Sequence, residues 1–495
     1  MKNLAAFLLL SELLAGQDQP EVAEVLRQGT RLVETGQLAA AQELYEKTRA
    51  SFPSDPDLTF ELGMVYFRRH NWEKAVENYR RSLSVRPGRV KPLFYLAEAY
   101  YMESNLGLAR ETIQQAVGIA PNDAQICQKY GEYLSLELET RSEGLVWLQK
   151  ARRLGPGLAR INFQIGKAQF ELSDYQSAIS SFETELRNNG SDGQAAFFLA
   201  ESWAKLNAWE KARKYYEYAL AQGYANGPAY YGRGRSLVEL GESEAALVPL
   251  GRALAARPSL IQAHFQLAKA YRQLGRTEEA RRETRLFTAM TNRTDTSREL
   301  KGPEEERAWN RVKPLVETNQ EEEALAALAK LPASDGLDRA EPHYLLGVMY
   351  SSLGRKDDAM RMLRTARKEM PNSARIAAYL GLVELSSGET GAAEESLRSA
   401  LTLDSAEVLA LIGIGGIRYQ QKRWAEAAEF LEKSRTADPG TLYMLCDAYF
   451  RSNRTEDAML TAEVIRALGF ENKALLDSLD DLVRHHKADR QSSPP

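Results

Sequence analysis

Cysteine is almost missing from this chain. Its two copies in 495 residues, Cys127 and Cys446, exclude a disulfide framework and a cysteine-rich zinc site. Histidine is nearly as scarce, and His70, His264, His343, His485 and His486 never form the i, i+4 pair with which a helix grips zinc. Past the N-terminus no run approaches the roughly eighteen apolar residues of a membrane span, so no integral span is expected. No phosphate loop of the G-x-x-x-x-G-K-[ST] type is present. A net charge of −4 gives no overall pull toward nucleic acid. These absences leave no metal, nucleotide or other cofactor expected, and no nucleic-acid partner.

What is present is periodic. An alanine opens the apolar face of one helix at Ala41, Ala75 and Ala109, then at Ala178, Ala212, Ala246 and Ala280. The spacings are 34, 34, 69 and three more of 34. Gly144 fills the doubled gap, with one residue inserted just before it. Prolines keep the same interval at Pro53, Pro87, Pro121, Pro156 and Pro258, and again at Pro371 and Pro439. After 44 residues the alanines resume at Ala324, Ala359, Ala393 and Ala427. Period and content together mark a repeat array.

Each period has fixed content. "ELGMVYFRRHNWEKAVENYRRSLSVRP" has Leu62-Gly63, Tyr66, Ala75, Tyr79 and Pro87 at set offsets. Small Gly63 and Ala75 let two helices approach, Leu62, Tyr66 and Tyr79 fill the space between them, and Pro87 ends the second helix. This resembles the tetratricopeptide repeat, a 34-residue helix–turn–helix. The resemblance implies an all-α, right-handed α-solenoid of about twelve or thirteen repeats in two arms with a C-terminal capping helix. About eight repeats fall in residues 17–290, a linker in 291–304, and four or five repeats in 305–470. The capping helix is placed at 471–486 and a disordered tail at 487–495. The copy around Ala324 has a shortened second helix ending at "KLPASDG".

The repeats occupy the length that a catalytic domain would need, so no enzyme is expected. "GIGG" at Gly413 to Gly416 has Arg418 where a dinucleotide fingerprint needs its third glycine, and close helix packing explains it better. His264 and His343 stand at the fourth position of their repeats, where the family has a large packing residue.

One stripe of aromatics exceeds what a packed helix pair requires. In the tetratricopeptide family, positions 5, 9 and 12 of the first helix face a concave groove. Position 5 here reads Leu26, Phe60, Phe94, Gln128, Phe163, Phe197, Tyr231 and Phe265, then Trp309 and Tyr344. Position 12 adds Phe67, Tyr101, Phe170 and Tyr419. Position 9 begins with Met64, continues with Glu98, Glu132 and Glu201, and turns basic at Arg235, Lys269 and Lys313, Lys167 being the exception. The expectation is an aromatic ladder that binds a protein partner. The competing expectation is that position 5 packs between repeats. The family's chaperone-binding members use Lys at position 5 and Asn at position 9, and its sugar-transferase members use Asn at position 6. This chain has neither, so neither specificity transfers.

The N-terminus "MKNLAAFLLLSELLAGQDQ" has Lys2, an apolar run and the small pair Ala15-Gly16, the layout of a signal peptide over residues 1–16. Gln17 stands where a lipobox needs its cysteine, so no lipid anchor is expected. With export, the resemblance extends to periplasmic or secreted repeat proteins that scaffold bacterial envelope assembly or secretion. The rival readings are a carbohydrate-binding envelope component and a cytoplasmic adaptor.

Overall fold

The computed structural model describes residues 20–291, 293, 312–329, 341–468, 470 and 472–492. All regular structure among them is α-helical. One compact unit ends at Ala225 and a second begins at Asn226. The first contains α1 (Pro20–Glu34), α2 (Leu38–Ser51), α3 (Pro56–Arg68), α4 (Trp72–Val85), α5 (Val90–Met102), α6 (Leu106–Ile119), α7 (Ala124–Leu134), α8 (Arg141–Leu154), α9 (Ile161–Glu171), α10 (Tyr175–Asn188), α11 (Gly193–Lys205) and α12 (Trp209–Ala221). The second contains α13 (Gly227–Glu239), α14 (Ser243–Ala256), α15 (Ile261–Gln273), α16 (Thr277–Thr291), α17 (Glu321–Leu328), α18 (Glu341–Ser352), α19 (Lys356–Glu369), α20 (Ala374–Ser386), α21 (Thr390–Leu403), α22 (Val408–Gln420), α23 (Trp424–Ser434), α24 (Pro439–Arg451), α25 (Thr455–Ala467) and α26 (Lys473–Ser492). Residues 312–317 are also helical. Within each unit first and second helices alternate, and from α1 to α12, from α13 to α16 and from α17 to α25 each helix packs on the next, as an all-α repeat solenoid requires.

Local chemistry sets these boundaries. Asp55, Asp123, Asp192, Asn226, Ser373 and Asp438 cap first helices by accepting from their free N–H groups. Asn71, Asn105 and Asp174 do the same for second helices. Pro53, Pro87, Pro121, Pro156, Pro258 and Pro371 each stand just past the residue that ends a second helix. Pro439 differs. It opens α24, where its missing N–H is no loss, because α23 has eleven residues where most second helices have fourteen, so the next helix starts early.

The turn inside each pair has its own rule. One residue per turn takes a left-handed backbone: Gly36, His70, Ser104, Ser173, Asn207, Gly241, Gly275, Asn319, Gly354, Gly388, Lys422 and Asn453. The exception is the turn from α7 to α8, six residues long where the others have three, in which no residue has positive φ. There Ser135 Oγ donates to the Gly131 carbonyl and Thr140 Oγ1 to the Leu134 carbonyl. In this pair the two backbones approach closely. A Cβ on Gly131 would lie 2.8 Å from the Gly144 carbonyl oxygen, and one on Gly144 2.7 Å from that of Gly131. Gly144 thus fills the role that alanine has elsewhere.

In the second unit α17 has eight residues where most second helices have fourteen, and "KLPASDG", from Lys330 on, lies outside the described residues. So do the 291–304 segment apart from Thr291 and Arg293, and the N-terminal residues 1–16. Helix α26 continues to Ser492, beyond the 471–486 expected. Its Leu479 and Val483 are buried against α24 and α25. Among the described residues α16 also packs against α25, far outside the order of adjacent repeats.

Candidate functional site

The aromatic stripe divides into closed and open stretches. Phe60 is 2% exposed, Phe163 6% and Tyr344 4%. Phe60 packs on Tyr79 of its own second helix at 5.6 Å and on Tyr95 of the next repeat at 6.0 Å. Phe163 repeats this with Phe182 at 5.9 Å and Phe198 at 5.8 Å. Tyr344 meets Tyr379 of its next repeat at 5.8 Å. The partner across the repeat boundary occupies position 6 in all three cases, a position the sequence reading considered only for the asparagine it lacks.

Position 12 joins the first two clusters. Phe67 touches Trp72 and Tyr95, and Phe170 touches Tyr175 and Phe198. Each is a five-ring cluster, the second three periods and one residue beyond the first. Cations close their outer edges. Arg89 and Lys91 lie over Phe60, and the Arg160 guanidinium is 4.0 Å from the Phe163 centroid. Met64 accepts from the Tyr79 hydroxyl at 3.2 Å.

Between the clusters the stripe opens. Phe94 is half-buried, and the next repeat offers Lys129 at position 6 in place of a ring. Lys129 Nζ instead bonds Glu98 at 3.0 Å and Glu132 at 2.8 Å. Burial acts most strongly on this ammonium and pulls its pKa down, but Glu132 and Glu98 more than offset it and leave the value raised. Tyr133 donates to Glu98 at 2.6 Å. Burial, then the Glu98 carboxylate, drive its phenol pKa up. Half-buried Tyr101 stacks on Tyr133 at 5.1 Å. Gln128 makes a polar version of the same boundary contact, donating to Gln164 at 2.7 Å.

The other expected residues are dispersed. Phe197 is half-buried against Tyr216 and Tyr224, and Glu201 accepts from Tyr216 at 2.5 Å. Lys167, Tyr231 and Arg235 are half-buried. Phe265, 43% exposed, leans on Phe287. Lys269 pairs with Glu239 at 2.7 Å, and Lys313 lies 3.7 Å from Glu317. Trp309 lies outside the described residues. The position-9 charges that can be followed are largely used between neighbouring helices, so the acidic-to-basic series is in good part internal pairing.

Elsewhere, a cavity of about 350 Å³ beside α15 and α16 is lined by Arg272, Thr277, Ala280, Arg281, Thr284 and Arg285. Both cysteines are buried, and burial pushes the Cys446 thiol up to about 12. His264 is buried and its Nδ1 lies 2.7 Å from Glu283, a packed residue. Among the described residues no cluster of His, Cys, Asp and Glu could hold a metal, and no helix is long and apolar enough to cross a membrane.

Comparison with known proteins gives a consistent picture. The family described as "Tetratricopeptide repeat" matches residues 26–89, 60–124, 163–230, 231–284, 344–408 and 380–440, more than half of the chain. The type IV pilus assembly protein PilF of Pseudomonas aeruginosa is 26% identical over 191 residues, covering 38% of this chain and 75% of that protein. The cellulose synthase operon protein C of Komagataeibacter xylinus is 25% identical over 354 residues, covering 70% of this chain but only 23% of that protein. A solved structure of P. aeruginosa PilF aligns over 43% of this chain and 97% of its own, at 22% identity and a TM-score of 0.40.

Proposed function

Because the chain belongs to the tetratricopeptide-repeat family, we propose that it is a non-enzymatic scaffold that holds peptide segments or partner helices on the faces of its first helices. One observation supports this above the rest: Phe94 and Tyr101 stay partly open beside the Glu98–Lys129–Glu132 network, while the flanking clusters are closed. Flat rings give large contact area at small entropic cost, and the Glu98–Lys129–Glu132 network holds polar groups already oriented beside them. In this reading the groove lies in the first unit and comprises Phe94, Glu98, Tyr101 and Lys129, extended by Phe197. Phe60 and Phe163 support it from beneath.

The biological setting we propose is assembly of an envelope or secretion complex. The names of the pilus and cellulose-operon relatives favour it. The mature chain would then begin near Gln17, periplasmic or secreted and without lipid. N-terminal sequencing of the natively expressed protein tests this, and an intact Met1 favours the cytoplasmic adaptor.

The groove is tested with full-length protein carrying Phe94→Ala and Tyr101→Ala, compared with wild type for binding to a displayed random-peptide library and for capture from an envelope extract. Loss of a hot spot, about 2 kcal/mol or more of affinity, with melting only slightly lowered supports the reading. Undiminished peptide selection by the variant refutes it. Retention on polysaccharide with no peptide selected favours the carbohydrate-binding alternative.

A further inference from the structure

Helices in an α-solenoid touch the helices next to them in sequence. The pairing of α16 with α25 does not follow that rule. Arg282 of α16 grips Glu463 of α25 through two bonds, Nη2 to Oε1 at 2.8 Å and Nε to Oε2 at 3.2 Å, across 181 positions of sequence. Beside this pair Leu286, Met290 and Val464 form a buried cluster, flanked by Leu460, Ala289 and Ala467. Arg285 approaches Glu456 at 4.0 Å. Just past α16, Arg293 Nη1 donates to the Thr436 carbonyl at 3.1 Å, in the turn before α24.

Both helices have other anchors. α16 packs on α15, and α25 packs on α24 and α26. Separating α16 from α25 would therefore leave each repeat's own packing in place. The apolar part of the contact is small, three fully buried side chains, where the cores within repeats are far larger. Its ionic part is solvent-facing on one side, Arg282 being 63% exposed and Glu463 26%. A small apolar seam bordered by an exposed bidentate ion pair is the composition of an interface that opens and recloses, not of a domain core.

We propose that α16 and α25 form a reversible clasp that closes the second unit on itself. Its occupants are the two helices themselves, matched by Arg282 with Glu463 and Arg285 with Glu456 along a shared apolar seam. Opening uncovers the strip of Leu286 and Met290 on one side and that of Leu460 and Val464 on the other. Closure hides both.

The test places spin labels at Glu279→Cys and Asp477→Cys, two exposed positions on α16 and α26, in the full-length chain. The native cysteines are buried and do not compete for the label. Pulsed dipolar spectroscopy should give one narrow distance distribution for the parent protein. Glu463→Arg should broaden and lengthen it, and Arg282→Glu combined with Glu463→Arg should restore it. Leu286→Glu, aimed at the apolar half, should also broaden it, with helix content by circular dichroism unchanged in every variant. A distribution that stays narrow in both Glu463→Arg and Leu286→Glu overturns the clasp. So does failure of the charge swap to restore a distribution that Glu463→Arg has broadened.

Discussion

The repeat around Phe60 and the repeat around Phe94 are neighbours built on one pattern, yet the same position is closed in the first and half-open in the second. The difference does not lie in the residue, which is phenylalanine in both. It lies one repeat further on, where Tyr95 covers Phe60, whereas the corresponding residue after Phe94 is Lys129, held by Glu98 and Glu132. The Phe163–Phe198 and Tyr344–Tyr379 pairs follow the first pattern. A position-5 aromatic is thus structural or available according to whether position 6 of the following repeat supplies a ring. Surplus aromatics in such arrays are therefore best interpreted as pairs across a repeat boundary.

The largest expected effect separates the two stretches directly. Phe163→Ala should cost about 3–5 kcal/mol, as for other large-to-small changes in packed cores, whereas Phe94→Ala should cost roughly 1 kcal/mol, half-burial of the ring being worth about half of its transfer energy. Urea unfolding followed by hydrogen exchange over each repeat would show this, since transitions in repeat arrays need not be two-state. Equal losses would erase the distinction.

A double-mutant cycle sharpens it. Phe60→Ala with Tyr95→Ala should show coupling of about 1 kcal/mol, the usual worth of an aromatic pair beyond its area. The same cycle on Phe94 and Lys129 should show coupling near zero.

The open stretch should also respond to alkali. The Lys129 pKa is raised in the folded chain, so its contribution is complete below the ordinary lysine value of about 10.4 and falls away as pH rises through the folded value. Wild type should lose more stability than Lys129→Met as the pH rises above roughly 10, where the ordinary lysine range begins. Parallel loss would show that the network contributes nothing.

The smallest effect concerns the turns. His70 and Lys422 hold left-handed backbones that cost a side-chain-bearing residue roughly 1 kcal/mol. His70→Gly should raise the melting point of its repeat slightly, and Gly241→Ala should lower that of its own.

These comparisons also show what the sequence made legible. The helix pairs, their small contact residues and the prolines after second helices were readable because each recurs at a fixed interval with its chemistry unchanged. Position 6 was harder, because Tyr95, Phe198 and Tyr379 are separated by Lys129 and Gln164 at the same place and look like scattered aromatics. The turn residues share an interval but not an identity, since glycine, asparagine, serine, histidine and lysine all occupy it. Pro439 kept the interval and changed its role, from ending a helix to starting one. The α16–α25 contact left no periodic trace, since it joins surfaces 181 positions apart that no repeat rule relates.

That last contact bears on how the chain reaches its final form. Helix pairs that touch only their neighbours close short loops, and such topologies assemble quickly and from any starting point. The Arg282–Glu463 junction is different, since it requires both partner repeats to be complete before the two surfaces can meet. During synthesis Arg282 therefore waits, with Leu286 and Met290 uncovered, until the last repeat has emerged. The finishing step of folding is a docking event between preformed surfaces, with its own rate and its own sensitivity to ionic strength.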